Sequence, residues 1–335
     1  MLILAFESSC DETSVSVVEN GRIILSNIIQ SQVNIHNITG GIVPEVAARE
    51  HLKCIEQLTK DALLEAKTNL DEIDYIAATA GPGLPGALMI GFSYARSMAY
   101  AKNIPFIPVD HIEGHILANW LEKNEPVLPA VALVVSGGHT ELIFVEQKSH
   151  FKRIGGTRDD AAGEAFDKVS RMLEAGYPGG PEISRLADNA TEKNLIFPRA
   201  WLKGTNDFSF SGLKTSVMNF LKKENTISKE EVAWAFQESV VDVLVSKTST
   251  LAIELNAKSV LIAGGVAANK RLREKAFNDI KVPVFIPSPI LCTDNAAMIA
   301  AAAFNHIDES IPAHSIVEIF STTNRGELLI DKKRN

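Results

Sequence analysis

The chain has 335 residues, 46% of them hydrophobic and 22% charged, with a formal net charge of −8 at pH 7. That length favours two packed lobes over a single core, the composition is ordinary for a soluble globular protein, and the negative balance argues against a surface broadly coated for phosphate binding. No window approaches the ~20 apolar residues of a membrane span, and Cys10, Cys54 and Cys292 are too scattered for a disulfide framework or a C-x-x-C site.

The opening M-L-I-L-A-F-E-S-S-C lacks a basic n-region and reaches Glu7 too early for a signal peptide, so a reducing cytoplasm is the expected location. Leu2 to Phe6 reads as a strand, followed by the polar break E-S-S-C-D-E-T-S. V-S-V-V-E and R-I-I-L-S-N-I-I flank Asn20-Gly21, a strong hairpin signal. Pro44 opens a helix through Ala66, with Val46, Ala47, Leu52, Ile55, Leu58 and Leu63 as its expected apolar face. Y-I-A-A-T-A is a buried strand that ends in G-P-G-L-P-G (81–86) and leads into a helix of small residues. P-F-I-P-V predicts a strand and H-I-E-G-H-I-L-A-N-W-L a helix.

Near residue 130 the opening pattern returns. A-V-A-L-V-V is a strand, S-G-G-H a tight polar break and T-E-L-I-F-V-E a second strand. Strand, polar hairpin, strand at 2–18 and again at 130–146 reads as an internal duplication, two lobes built on one plan. A mainly helical stretch (160–256) follows, with a polar segment at 192–212. Then come strand S-V-L-I-A, a glycine loop, a helix from Lys270, strand P-V-F-I-P and a helix from Thr293. The expected division is a first lobe at 1–125, a second at 126–310 carrying the helical insertion, and a loose tail at 311–335, with the helix near 293–308 able to pack back on the first lobe.

S-G-G-H (136–139) and G-G-V-A-A-N (264–269) each follow an apolar strand, where small residues let a phosphate approach backbone N–H groups. Neither is a Walker loop or a G-x-G-x-x-G fingerprint, and a plain tight turn competes with each, but two in one lobe favour a nucleotide cleft. G-P-G-L-P-G and Y-P-G-G-P (177–181) are further glycine turns. His111 and His115 stand four apart, about 40° around a helix, and share a face; Glu113 lies about 200° from His111 and points away. The zinc-protease order H-E-x-x-H is absent here, so a protease is disfavoured. Two histidines are half a metal site or a plain surface pair, and Asp294, at the start of a helix, is a candidate third ligand or an ordinary cap. Two histidines and a carboxylate suit Fe2+ or Zn2+. The three acids of loop 7–13, Glu7, Asp11 and Glu12, fit a solvated hairpin, or carboxylates that position a metal-bound phosphate or take a proton, with Asp11 and Glu12 the candidates for the last, and the acids around Cys10 argue against a reactive thiol.

Taken together, ESSCDET (7–13), GGIVPEVAAREH (40–51), GPGLPGAL (81–88), DHIEGH (110–115), VSGGHTEL (135–142), DDAAGEAFDKV (159–169), YPGGP (177–181), DFSFSGLKT (207–215), AFQESVVDVL (235–244), AGGVAANKRLR (263–273) and CTDNAAMIA (292–300) resemble one family. It is the universal tRNA threonylcarbamoyl transferase family (TsaD in bacteria), once taken for a sialoglycoprotein endopeptidase. The resemblance implies an α/β fold of the actin-like, Hsp70-like, sugar-kinase-like (ASKHA) kind, two lobes around a nucleotide cleft. It implies transfer of a threonylcarbamoyl group from threonylcarbamoyl-AMP to the exocyclic amine of the adenosine at position 37 of ANN-decoding tRNAs. It implies one divalent metal, Fe2+ with Zn2+ as the alternative, on His111, His115 and Asp294. It implies an adenylate held by Val135, Ser136, Gly137, Gly138, His139, Asp167, Gly180 and Asn269. It also implies two smaller partners, a TsaB-like paralogue and a TsaE-like ATPase. Ser14 and Pro85 depart from the family pattern, beside the first hairpin and in the GPGL loop. An ATP-dependent small-molecule kinase of the same fold and a non-catalytic nucleotide-dependent scaffold are the competing readings. If tRNA binds, its basic contacts must be local, with Lys152, Arg153, Arg158, Lys193, Arg199, Lys203 and Lys214 as candidates.

Overall fold

In a computed structural model of the protein, residues 1–224, 226–312, 315 and 318–320 are described. The chain forms two compact units, 1–125 with 148–150 and 293 onward, and 126–147 with 151–292. The last helix therefore belongs to the first unit, although chain order puts it at the end of the second.

The first unit begins with β1 (Leu2–Glu7), β2 (Glu12–Glu19) and β3 (Ile23–Ser31), an antiparallel meander. A short helix that the sequence reading did not anticipate, α1 (Val33–Thr39), precedes α2 (Pro44–Glu65). Proline at the start of α2 fits a position whose N–H has no helical acceptor. The buried stripe of α2 is Ala47, His51, Cys54, Ile55, Leu58, Thr59 and Ala62, whereas Leu52 is 65% exposed. The predicted face is thus rotated, because His51 and Thr59 satisfy their polar atoms internally and can be buried. Next come β4 (Tyr75–Gly81), α3 (Pro85–Lys102), β5 (Phe106–Asp110) and α4 (His111–Leu117). The predicted helix at 111–121 is divided, its second half being a 3-10 turn at Ala118–Leu121. The sheet order is β3-β2-β1-β4-β5, with β1, β4 and β5 parallel.

The second unit repeats this order. Its strands are β6 (Ala130–Val135), β7 (Thr140–Gln147) and β8 (His150–Gly156), the last not foreseen. Four helices follow, α5 (Ala162–Met172), α6 (Gly179–Asp188), α7 (Ser211–Lys223) and α8 (Lys229–Glu254). Ser228 and Glu231 close a capping box on α8, whose apolar residues are buried around most of its circumference. β9 (Ser259–Ala263), α9 (Lys270–Asp279), β10 (Val284–Phe285) and α10 (Pro289–Cys292) complete the unit. The sheet order is β10-β9-β6-β7-β8, so β6 takes the central place that β1 holds in the first unit.

The last helix, α11 (Ala296–Phe304), starts three residues later than predicted and is buried along almost its whole length. Its alanines let it pack closely on α4, β1 and β2. Beyond it, Ile311 exchanges backbone hydrogen bonds with Phe106, and the Phe320 N–H donates to the Ala80 carbonyl. The described part of the expected loose tail is therefore tied to the sheet; residues 321–335 lie outside the described residues. Among the described residues, no helix is long and apolar enough to cross a membrane.

Candidate functional site

Parallel pairing aligns the C-terminal ends of β1, β4 and β5, and these ends carry Glu7, Thr79 and Asp110. Asp110 caps α4, its Oδ1 accepting from the N–H groups of Ile112 (2.8 Å) and Glu113 (3.2 Å). The helix therefore starts at His111, and His115 falls one turn later on the same face. Their rings lie 4.6 Å apart between centroids. Asp294 Oδ1 lies 3.2 Å from His115 Nε2 and 3.6 Å from His111 Nε2. The cap of α11 is Asn295, whose side chain accepts from the Met298 N–H at 3.1 Å. Asp294 consequently does not serve as the cap and turns its carboxylate to the histidines.

One ligand atom from each of His111, His115 and Asp294 falls within 4.8 Å of the other two. His115 is wholly buried, and among the described residues neither ring nitrogen has a hydrogen bond of good geometry. An orphaned buried imidazole facing a carboxylate and a second imidazole fits a metal ligand set of the two-histidine, one-carboxylate kind. Burial holds the His115 pKa below its ordinary value. Burial works against a charged His111 too, but the Glu7 and Asp294 carboxylates outweigh it and push its pKa up to about 9. The Glu7 and Asp294 carboxylates thus mark a place where positive charge is stabilised.

Glu7, read from sequence only as one of three acids in its loop, is a partner of His111. Its Oε2 lies 3.1 Å from His111 Nδ1 and accepts from Thr79 Oγ1, while its Oε1 accepts from the Ser9 N–H. The only sequence signal is an apolar strand ending in a carboxylate. His51 also escaped notice; its Nε2 lies 3.0 Å from the Cys10 carbonyl and its Nδ1 2.7 Å from Thr13 Oγ1, tying the acidic loop to α2. Asp11 and Glu12 lie where that loop enters β2. Glu12 accepts from Ser31 Oγ, and burial, with the charges of Asp11 and Asp294, holds its carboxyl well above the usual range. The Cys10 thiol is raised by burial and then by the same acids, in keeping with an unreactive cysteine. Glu113 points away from the histidines, to His306.

In the second unit, Val135 ends β6 and Ser136–His139 make the turn into β7, with the Ser136 N–H donating to the His139 carbonyl at 2.8 Å. Gly137 and Gly138 are exposed, and added Cβ atoms there would meet nothing within 4 Å. Gly264, at φ +91°, follows the adjacent parallel strand β9, and a Cβ there would lie 2.3 Å from the Val135 carbonyl oxygen. Only glycine permits that approach. The Gly163 N–H, in the first turn of α5, donates to the Ser136 carbonyl. From the same helix, Asp167 Oδ1 accepts from the Gly179 N–H at 2.7 Å, beside Gly180, whose Cβ position opens onto free space. Asn269 caps α9 and donates to Gln237 Oε1 at 2.8 Å. The loops bearing these residues are thus linked to the C-terminal ends of parallel strands, where open α/β sheets bind ligands. Of the basic candidates, Arg153, Arg158, Arg199 and Lys214 are paired with Glu141, Asp207, Asp242 and Asp160; Lys152, Lys193 and Lys203 are exposed.

Two mixed sheets of the same strand order, with loops gathered at the C-terminal ends of parallel strands, define an α/β fold of the ASKHA class. Solved structures agree on the fold. HypF from T. kodakarensis aligns with a TM-score of 0.63 at 13% identity, over 92% of this chain and 48% of that one. Component A of (R)-2-hydroxyglutaryl-CoA dehydratase from Acidaminococcus fermentans aligns at 0.58 and 16% identity, over 92% and 98%. The family model described as TsaD: tRNA N6-adenosine threonylcarbamoyltransferase matches residues 23–301, and the chain belongs to that family. Curated relatives of that name include one from Dehalococcoides mccartyi (strain CBDB1), 51% identical over 91% of this chain and 93% of the relative. Another, from Desulfotalea psychrophila, is 46% identical over 97% and 98%. The chain is a transferase of tRNA modification, which displaces the kinase and scaffold readings.

Proposed function

We propose that the protein transfers the threonylcarbamoyl group of threonylcarbamoyl-AMP to the exocyclic amine of adenosine 37 in ANN-decoding tRNAs, in the cytoplasm, with a TsaB-like paralogue and a TsaE-like ATPase as partners. The observation that carries the chemistry is the convergence of His111, His115 and Asp294 in the first unit. These three residues would hold one divalent ion, Fe2+ in preference to Zn2+. When bound, such an ion supplies Lewis-acid polarisation of the carbonyl under attack. Val135, the amides of Ser136–His139, Asp167, Gly180 and Asn269 are assigned to the adenylate; open space over Gly137, Gly138 and Gly180 supports this.

An exocyclic amine is a weak nucleophile. Orientation and stabilisation of charge on oxygen are therefore the main tasks of the site. Asp11 or Glu12 is assigned to receive the amine proton, a role supported by their place in the loop that follows Glu7 and, for Glu12, by the charge of Asp294 acting on its carboxyl. The target base leaves the anticodon-loop stack to be reached.

The test is metal content. The purified wild type is expected to hold close to one ion per chain, and His111→Ala and Asp294→Ala to lose it. Full occupancy in both variants would remove the triad from the reading.

A further inference from the structure

We infer that Glu113 and His306 form a positioning clamp for the metal-binding triad: they fix how α11 crosses α4, and so where Asp294 stands relative to His111 and His115. The inference rests on the metal reading of the triad and adds two residues outside it.

Glu113 is 1% and His306 6% exposed, and Glu113 Oε1 lies 2.5 Å from His306 Nε2. Glu309 Oε1 stands 3.4 Å from the other ring nitrogen, so the imidazole is held from both sides. The two residues are 193 positions apart in sequence, and their bond joins α4 to the segment just past the end of α11. At the other end of α11, Asp294 reaches the histidines. Between these ends the two helices approach at Gly114, where an added Cβ would come 2.9 Å from Ile299 Cδ1 and 3.3 Å from Met298 Cγ.

The geometry follows from helical periodicity. Around α4, Gly114 lies about 60° from His111 on the side away from His115, with Glu113 about 100° further round. α11 therefore touches α4 at Gly114 and grips it on two flanks: Asp294 on the histidine flank and His306 on the glutamate flank. Side chains of Ile299 and Met298 fill the notch at Gly114 and set how closely α11 approaches α4, but apolar packing is non-directional and small alanines give few ridges to fix the register. The buried Glu113–His306 hydrogen bond adds a directional restraint to that packing. Loss of the bond would let Asp294 drift from the two imidazoles. It would not remove any ligand.

The experiment measures Zn2+ affinity of the full chain by competition with a chromogenic chelator, alongside thermal melting without metal. His115→Ala tests the triad itself: wild-type binding that disappears in this variant sustains the metal reading, and persistence overturns that reading separately. The clamp is tested by Glu113→Leu/His306→Leu, which replaces both partners with apolar groups and preserves the buried packing. We expect Zn2+ to bind about tenfold more weakly, with little change in metal-free melting. Glu113→Gln keeps an acceptor for His306 and is expected to stay within about threefold of wild type, as a rescue. His306→Ala, which removes only the donor, gives a second reading should the double variant not fold. Wild-type Zn2+ affinity in folded His306→Ala or in the double variant would overturn the clamp and leave the pair with a packing role alone.

Discussion

His111 must present one nitrogen to Asp294 and commit the other. Glu7 makes that commitment: its carboxylate receives the Ser9 N–H on one oxygen, and Thr79 Oγ1 and His111 Nδ1 on the other. A proton on Nδ1 leaves the Nε2 lone pair available to an ion shared with Asp294. Glutamine at position 7 cannot match this pattern. Whichever way its amide turns, an NH2 group faces a donor, either the Ser9 N–H or the Thr79–His111 pair. Glu7→Gln is therefore expected to weaken metal binding by about 10–100-fold. Chelator competition checks this, and unchanged affinity would show that His111 needs no such partner. Sequence spacing was enough to put His111 and His115 on one face of a helix. It could not reveal Glu7, which is 104 residues from His111 and meets it only through the pairing of β1, β4 and β5. Asp294 was legible as a helix-start acid with two roles open, and Asn295 removes one of them by taking the cap.

Among the elements, the strands with unbroken apolar runs, β1, β4, β6 and β9, were legible because burial on both faces leaves no other reading. β8 was not, since H-F-K-R-I-G-G mixes charge with few apolar residues and only part of it is buried. The face of α2 was misjudged because periodicity counts Leu52 as core and His51 as surface, whereas His51, donating from Nε2 to the Cys10 carbonyl and accepting at Nδ1 from Thr13 Oγ1, is buried and Leu52 is not. In the second unit, Asp160 joins α5 to α7, with Lys168 and Lys214 each 2.8 Å from its carboxylate. Burial tends to raise the Asp160 pKa, but hydrogen bonds and charge from the two lysines outweigh it and hold the group below the usual carboxylate range. A depressed acid stabilises the folded state above its unfolded pKa and loses that contribution as pH falls through the folded value. Asp160→Asn is thus expected to cost about 1 kcal/mol near neutrality, with the difference shrinking as pH falls below about 4. Denaturant titrations at several pH values check this; a penalty that persists unchanged in acid would assign the effect to shape instead of charge.

For the whole molecule, the strand–hairpin–strand repeat in the sequence revealed only the first two strands of each sheet, but the structure carries the repetition through all five. The two copies end in different chemistry. In the first unit the parallel strand ends lead to carboxylates and imidazoles; in the second they lead to glycine turns with open backbone. Periodicity could not predict that division of labour, because it depends on which loop residues the sheet order sets side by side. The central claim is that the first set serves threonylcarbamoyl transfer to tRNA. Nucleoside analysis tests it most directly, using ANN-decoding tRNA incubated with the protein, the two proposed partners, threonine, bicarbonate, ATP and the synthase that makes the adenylate. The account predicts threonylcarbamoyladenosine with the wild type and none with His115→Ala, whose metal is also lost. Modified nucleoside at wild-type levels from a metal-free His115→Ala enzyme, or none from the metal-loaded wild type with all components present, would contradict it.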